Sequence, residues 1–143
     1  MKEKGALDVI ALCAFAIIAT AAAGEWLSAQ NGLFVLLSFM ALSLVIAACA
    51  AYSARERGVE PMACGIIGAV LGFVGAVSEA LFRWALVYSG AVPYIAPGAA
   101  LSFGDAASLF IRDAAAGALF WVFAGIVLGL AGAFLAQRFS KKE

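Results

Sequence analysis

Four charged side chains interrupt otherwise apolar stretches: Glu79 and Arg83, one helical turn apart, and Arg112 and Asp113, adjacent in the chain. An acid four residues before a base is the favoured order for an ion pair along a helix, so Glu79 and Arg83 are expected to meet. Ionisable groups in hydrocarbon are costly, and those that persist mark ion or proton pathways or pair with one another. Two chemistries follow. The cluster could line the mouth of an ion or solute path, or it could be an interfacial set of salt bridges that clamps two helices and binds nothing. Depth favours the clamp. At about 1.5 Å per residue from Met62, Glu79 falls just inside the far boundary of a hydrocarbon core about 30 Å thick, and Arg83 among the headgroups. Counted back from Gln137, Arg112 and Asp113 fall beyond that boundary, where charged side chains commonly snorkel.

Other chemistry is thinly represented. The chain has no histidine, which removes His-ligated haem, zinc and copper and every Ser-His or Cys-His nucleophile. Cys13, Cys49 and Cys64 form no CxxC and read as reduced packing residues, with a soft-metal site including Met62 as the sharper alternative. Ser38 and Ser43 are expected to bond to helix carbonyls, and Trp121 to pack. No nucleotide, phosphate or metalloprotease motif is present. A lipid-headgroup enzyme using Glu79, Asp105 and Asp113 is the weakest reading. The sequence therefore points away from an enzyme, and no cofactor or metal is expected.

The elements that must position these residues are membrane spans. Of 143 residues, 66% are hydrophobic and 13% charged, against about 25% charged in soluble domains. A helix crosses the hydrocarbon core with about 20 mainly apolar residues. Four stretches meet that length, over roughly 6–26, 33–52, 62–88 and 106–138, with a loop over 89–104. Pro61 suits the first turn of the third span, while Gly90, Pro93, Pro97, Gly98 and Gly104 exclude a fifth helix. No polar stripe recurs at helical spacing, so the fold class is an all-α bundle of four transmembrane helices in one domain.

Lys2 and Lys4, Arg55 and Arg57, and Arg138, Lys141 and Lys142 all fall on one side of this arrangement. The positive-inside rule then predicts both termini in the cytoplasm of a cell-membrane protein inserted in one orientation. Asp8 and Glu25 are expected at the two interfaces of the first span, and Trp26, Trp84, Tyr88 and Tyr94 in an outer aromatic belt. Ala21-Ala22-Ala23-Gly24 after a basic start also resembles a signal-peptide cleavage site, against which Asp8 counts.

The third span carries Gly65, Gly68, Gly72 and Gly75 along one face, and the fourth carries Gly125, Gly129 and Gly132. Six positions match between them: Gly68, Val70, Leu71, Gly72, Gly75 and Ala76 with Gly125, Val127, Leu128, Gly129, Gly132 and Ala133. Small faces allow close approach in lipid, so these spans are expected to pack on each other before they pack on another chain. The first functional expectation is a structural or accessory protein that binds itself or a larger membrane complex through glycine faces. Its partners would be the bilayer and a homo-oligomer or membrane protein, with no nucleic acid. The alternative is an oligomeric ion or small-solute channel or transporter with an outer vestibule at Glu79, Arg83, Arg112 and Asp113.

Overall fold

The computed structural model describes residues 2–91 and 102–140. They form four helices: α1 (Lys2–Asn31), α2 (Leu33–Glu56), α3 (Pro61–Tyr88) and α4 (Phe103–Ser140). All four are long and apolar enough to cross a membrane. Large apolar side chains, among them Phe15, Phe34, Leu119 and Phe123, point outward, and alanines and glycines dominate the interior. That inversion of the soluble pattern suits a bundle whose surroundings are hydrocarbon, because there association depends on close packing and polar contacts.

Turn chemistry sets the helix ends. Gly58 and Gly90 adopt left-handed backbone at φ 90° and 74° and close α2 and α3 in the same way. Val59 N–H donates to Ala54 and Gly58 N–H to Arg55, while Ala91 N–H donates to Leu86 and Gly90 N–H to Val87. These are paired C-terminal caps that need a residue without the Cβ penalty. Glu60 occupies the N-cap position of α3 ahead of Pro61 with no side-chain capping bond, its carbonyl accepting from the Cys64 N–H. Several boundaries differ from the sequence expectation: α1 begins at Lys2 and α2 runs on to Glu56. The first helix continues past Trp26 to Asn31, and α4 begins at Phe103, so Gly104 is helical. Ser102 caps α4, its hydroxyl accepting from the Asp105 N–H at 3.2 Å and donating to the Asp105 carboxylate at 2.6 Å. Pro93, Tyr94, Pro97 and Gly98 of the expected loop, and Lys141 and Lys142, lie outside the described residues.

Around the bundle the helices neighbour one another in the order α1, α2, α4, α3, with α3 and α4 in the most extensive contact. Lys2 and Ser140 lie at one end, called here the terminal end; the α1–α2 turn and the end of α3 define the distal end.

The α3–α4 contact is a crossing of glycines. A methyl group added at Gly68 would collide with the Gly125 carbonyl, and one added at Gly125 with the Gly68 carbonyl. One turn to either side, Gly72 lies on the Trp121 carbonyl and Gly129 on the Cys64 carbonyl. The two helices are therefore related by a local two-fold axis at Gly68 and Gly125, and this axis superposes the six residue types that match between the spans. Beyond the crossing, Gly75 packs against Ile17 of α1, while its counterpart Gly132 lies 2.6 Å (measured to an added Cβ) from the Ala48 carbonyl of α2. Thus α1 sits on α3 much as α2 sits on α4.

On α2 the buried residues, Ser43, Ala47, Ala50, Ala51 and Ala54, begin only at Ser43. Its first half packs loosely, anchored where Phe39 presses on Gly24 and where the Thr20 and Ser43 hydroxyls share a hydrogen bond of 2.8 Å.

Candidate functional site

In the distal half of the bundle Glu25, Glu79, Arg83, Arg112 and Asp113 fall into two groups. The first centres on Arg83. Its Nη2 donates to Glu25 Oε1 at 2.7 Å and its Nε to Glu25 Oε2 at 3.3 Å, a fork matched to a carboxylate. Its remaining terminal nitrogen, Nη1, lies 3.4 Å from Asp113 Oδ2, and Arg112 approaches the other oxygen of Asp113 at 3.3 Å. Arg83 thereby joins α1, α3 and α4, and bridges the two helices that do not otherwise neighbour each other.

Glu25 is the member of this group that the sequence reading left out. It is 5% exposed and faces into the bundle, where its carboxylate meets Arg83. Because α1 runs on to Asn31, Glu25 stands well before the helix end. It also shares a face with Ile17, Ala21 and Gly24, all of them inward. That stripe of small residues at helical spacing was the available signal that Glu25 points into the bundle.

The second group is Glu79 with Trp121. The expected pairing of Glu79 with Arg83 is not the hydrogen-bonding arrangement found: Arg83 turns to Glu25 and Asp113, and Glu79 Oε2 accepts from the Trp121 indole Nε1 at 3.0 Å. Trp121 is 2% exposed and its ring edge fills the space beside Gly75. A buried indole N–H needs an acceptor, and in an apolar span Glu79 is the one within reach. Trp121 therefore does more than pack.

Glu79, Arg83, Asp113 and Trp121 share the wall of a cavity of about 310 Å³, completed by Met40, Ala76, Ala80, Ala116, Gly117 and Phe120. It lies between α3 and α4 and is closed on the α2 side only by Met40, where the first half of α2 stands off. Among the described residues Glu79 Oε1 accepts no hydrogen bond.

The remaining candidates are placed elsewhere. Asp105 is engaged by Ser102, not convergent with Glu79. Ser38 and Ser43 donate to the Phe34 and Phe39 carbonyls. Cys64 is buried against Ala51, Ala54 and Ala133, while Met62 is exposed. Among the described residues no group of three or more His, Cys, Asp or Glu side chains could hold a metal ion. Trp84 stacks on Tyr88 at 5.7 Å, and Phe103 meets both rings edge-on, so the aromatic residues at this end form a cluster linking α3 to the start of α4.

Compared with protein-family models, curated proteins and solved structures, the chain matches none of them.

Proposed function

We propose that this chain is a small membrane carrier or channel subunit that holds a proton or small cation at Glu79. The observation behind the reading is the division of charge. Glu25, Arg83, Arg112 and Asp113 contribute two acids and two bases that pair among themselves. Glu79 is the acid left over, bonded to an indole and lining a cavity. A carboxylate in an apolar span is costly unless a proton or a cation accompanies it, so the site has a built-in demand for positive charge. In this reading the Arg83 assembly is the frame and Glu79 the working group. Four helices rarely enclose a path alone, and the active form would be an oligomer in the cell membrane with both termini cytoplasmic, as the placement of basic residues suggests.

Purified protein in liposomes tests this directly. A proton or monovalent-cation flux driven by an imposed gradient is expected, and Glu79→Gln is expected to abolish it while the protein remains folded. Absence of flux across several pH values and membrane potentials overturns the transport reading.

The structural or accessory reading retains one supporting observation. An apolar groove of about 270 Å³ runs between α2 and α4, lined by residues that include Ala48, Cys49, Leu128 and Ala131, and small outward residues favour helix docking in lipid. The glycines named for that role are turned inward: Gly68, Gly72, Gly125 and Gly129 are spent on the α3–α4 crossing and Gly132 on α2.

A further inference from the structure

We propose that the Glu79 cavity takes a monovalent organic ammonium ion with a compact apolar body. This rests on Glu79 being a binding carboxylate, as argued above, and adds the class of its ligand.

The wall is the first argument. Apart from Glu79, Arg83 and Asp113, the cavity is bounded by Met40, small residues of α3 and α4, and the rings of Phe120 and Trp121. The two rings lie 6.2 Å apart and nearly perpendicular, so the lining near Glu79 is aromatic as well as acidic. Aromatic faces and a thioether stabilise soft, weakly hydrated cations. A hard metal ion instead requires six or so oxygen ligands, and of the carboxylates here Asp113 is already shared by Arg83 and Arg112. One uncommitted carboxylate oxygen suffices for an ammonium ion and not for a calcium or magnesium shell.

Charge and size narrow the class further. On the wall Arg83 is matched by Glu25 and Asp113, so the charge that Glu79 adds is balanced by a cation and not by an anion. An anion would meet Glu79 unpaired and find Arg83 already engaged on all three nitrogens. A volume of about 310 Å³ stands at the lower end of the range for small-molecule sites, about 300–1,000 Å³. It is much larger than a bare alkali ion requires. Access is lateral: the first half of α2 contributes Met40 alone to the wall, so an amphiphilic cation dissolved in the membrane can enter between α2 and α4.

Purified protein in lipid nanodiscs is titrated with choline, with the uncharged carbon isostere of choline, with tetraethylammonium and tetrapropylammonium, and with potassium ion, read by calorimetry and by Trp121-dependent fluorescence. Saturable binding of the quaternary ammonium ions is expected, with potassium and the uncharged isostere weaker by at least about tenfold. Glu79→Gln is expected to remove that preference for charge, and its unfolding transition controls for loss of fold. Ala116→Phe, at an outward position that lines the cavity, fills the volume without touching the charges and is expected to weaken tetrapropylammonium more than choline. The inference is overturned if no ammonium ion binds saturably, if the uncharged isostere binds as tightly as choline, if potassium binds as tightly, or if Glu79→Gln leaves the charge preference intact. A Glu79-dependent proton flux without ammonium binding would sink this inference and leave the transport reading standing; ammonium binding without any flux would do the reverse.

Discussion

On the terminal side of the Gly68–Gly125 crossing, Gly129 rests on the carbonyl of Cys64; on the distal side, Gly72 rests on the carbonyl of Trp121. The local two-fold makes these contacts equivalents, yet what surrounds them differs. Around Cys64 the helices close on Ala51, Ala54 and Ala133 into a dry, small-residue core. Around Trp121 the two backbones approach just as closely, but the indole turns its N–H to Glu79, and the Arg83 ion pairs and a cavity lie beside it. The same backbone crossing thus makes a tight seam in one direction and an open, polar site in the other. The backbone contact is shared; the side chains around it differ, Cys64 among alanines and Trp121 bonded to Glu79.

Breaking the seam is expected to have the largest effect. Gly68→Leu places a side chain against the Gly125 backbone, which cannot withdraw without separating α3 from α4. Overpacking in an ordinary core costs about 1–3 kcal/mol because side chains can shift, and here the obstacle is backbone. Thermal unfolding in detergent micelles should show complete loss of the cooperative transition. A folded Gly68→Leu protein would mean that the crossing is not the organising contact of the bundle.

Breaking the frame comes next. Arg83→Gln leaves Glu25 buried without a partner, and removing one member of a buried pair costs about 3–5 kcal/mol. Glu25→Gln in the same protein removes the orphaned charge, so the double variant should recover much of that loss. Glu79→Gln in place of Glu25→Gln should not. This contrast separates the arrangement found from the pairing that spacing alone suggests, because a pair at i and i+4 would make Glu79 the partner whose removal rescues.

Those residues also show what the sequence carried and where it stopped. Hydropathy and length are properties of single segments, so the four spans were readable, and Pro61 gave the start of α3. Helix ends depend on caps and turns. The Ser102–Asp105 cap extended α4 forward to Phe103, and α1 continued through polar residues to Asn31. The charged site depends on which helices become neighbours. Glu79 and Arg83 line one cavity, but a local spacing rule worth about 0.2–0.5 kcal/mol was overridden by a two-pronged contact to Glu25, 58 residues away in sequence. Nothing in the α3 sequence encodes that choice; it follows from α1 lying beside α3 on the side of Gly75.

The smallest expected effect comes from the neutral link between α1 and α2. Thr20 and Ser43 share a hydrogen bond at 2.8 Å, and each is also within bonding distance of its own helix, Thr20 of the Ile17 carbonyl and Ser43 of the Phe39 carbonyl. When Thr20→Val removes one hydroxyl, Ser43 keeps a backbone acceptor, so no polar group is stranded. Interhelical hydrogen bonds in membranes average about 0.6 kcal/mol for the same reason, since the separated helices also find partners. The expected loss in an unfolding titration is of that order, several-fold below Arg83→Gln. Were the two losses equal, α1 would be held to the bundle through α2 and not through the Arg83–Glu25 contact, and the charged distal end would lose its claim to be the frame around Glu79.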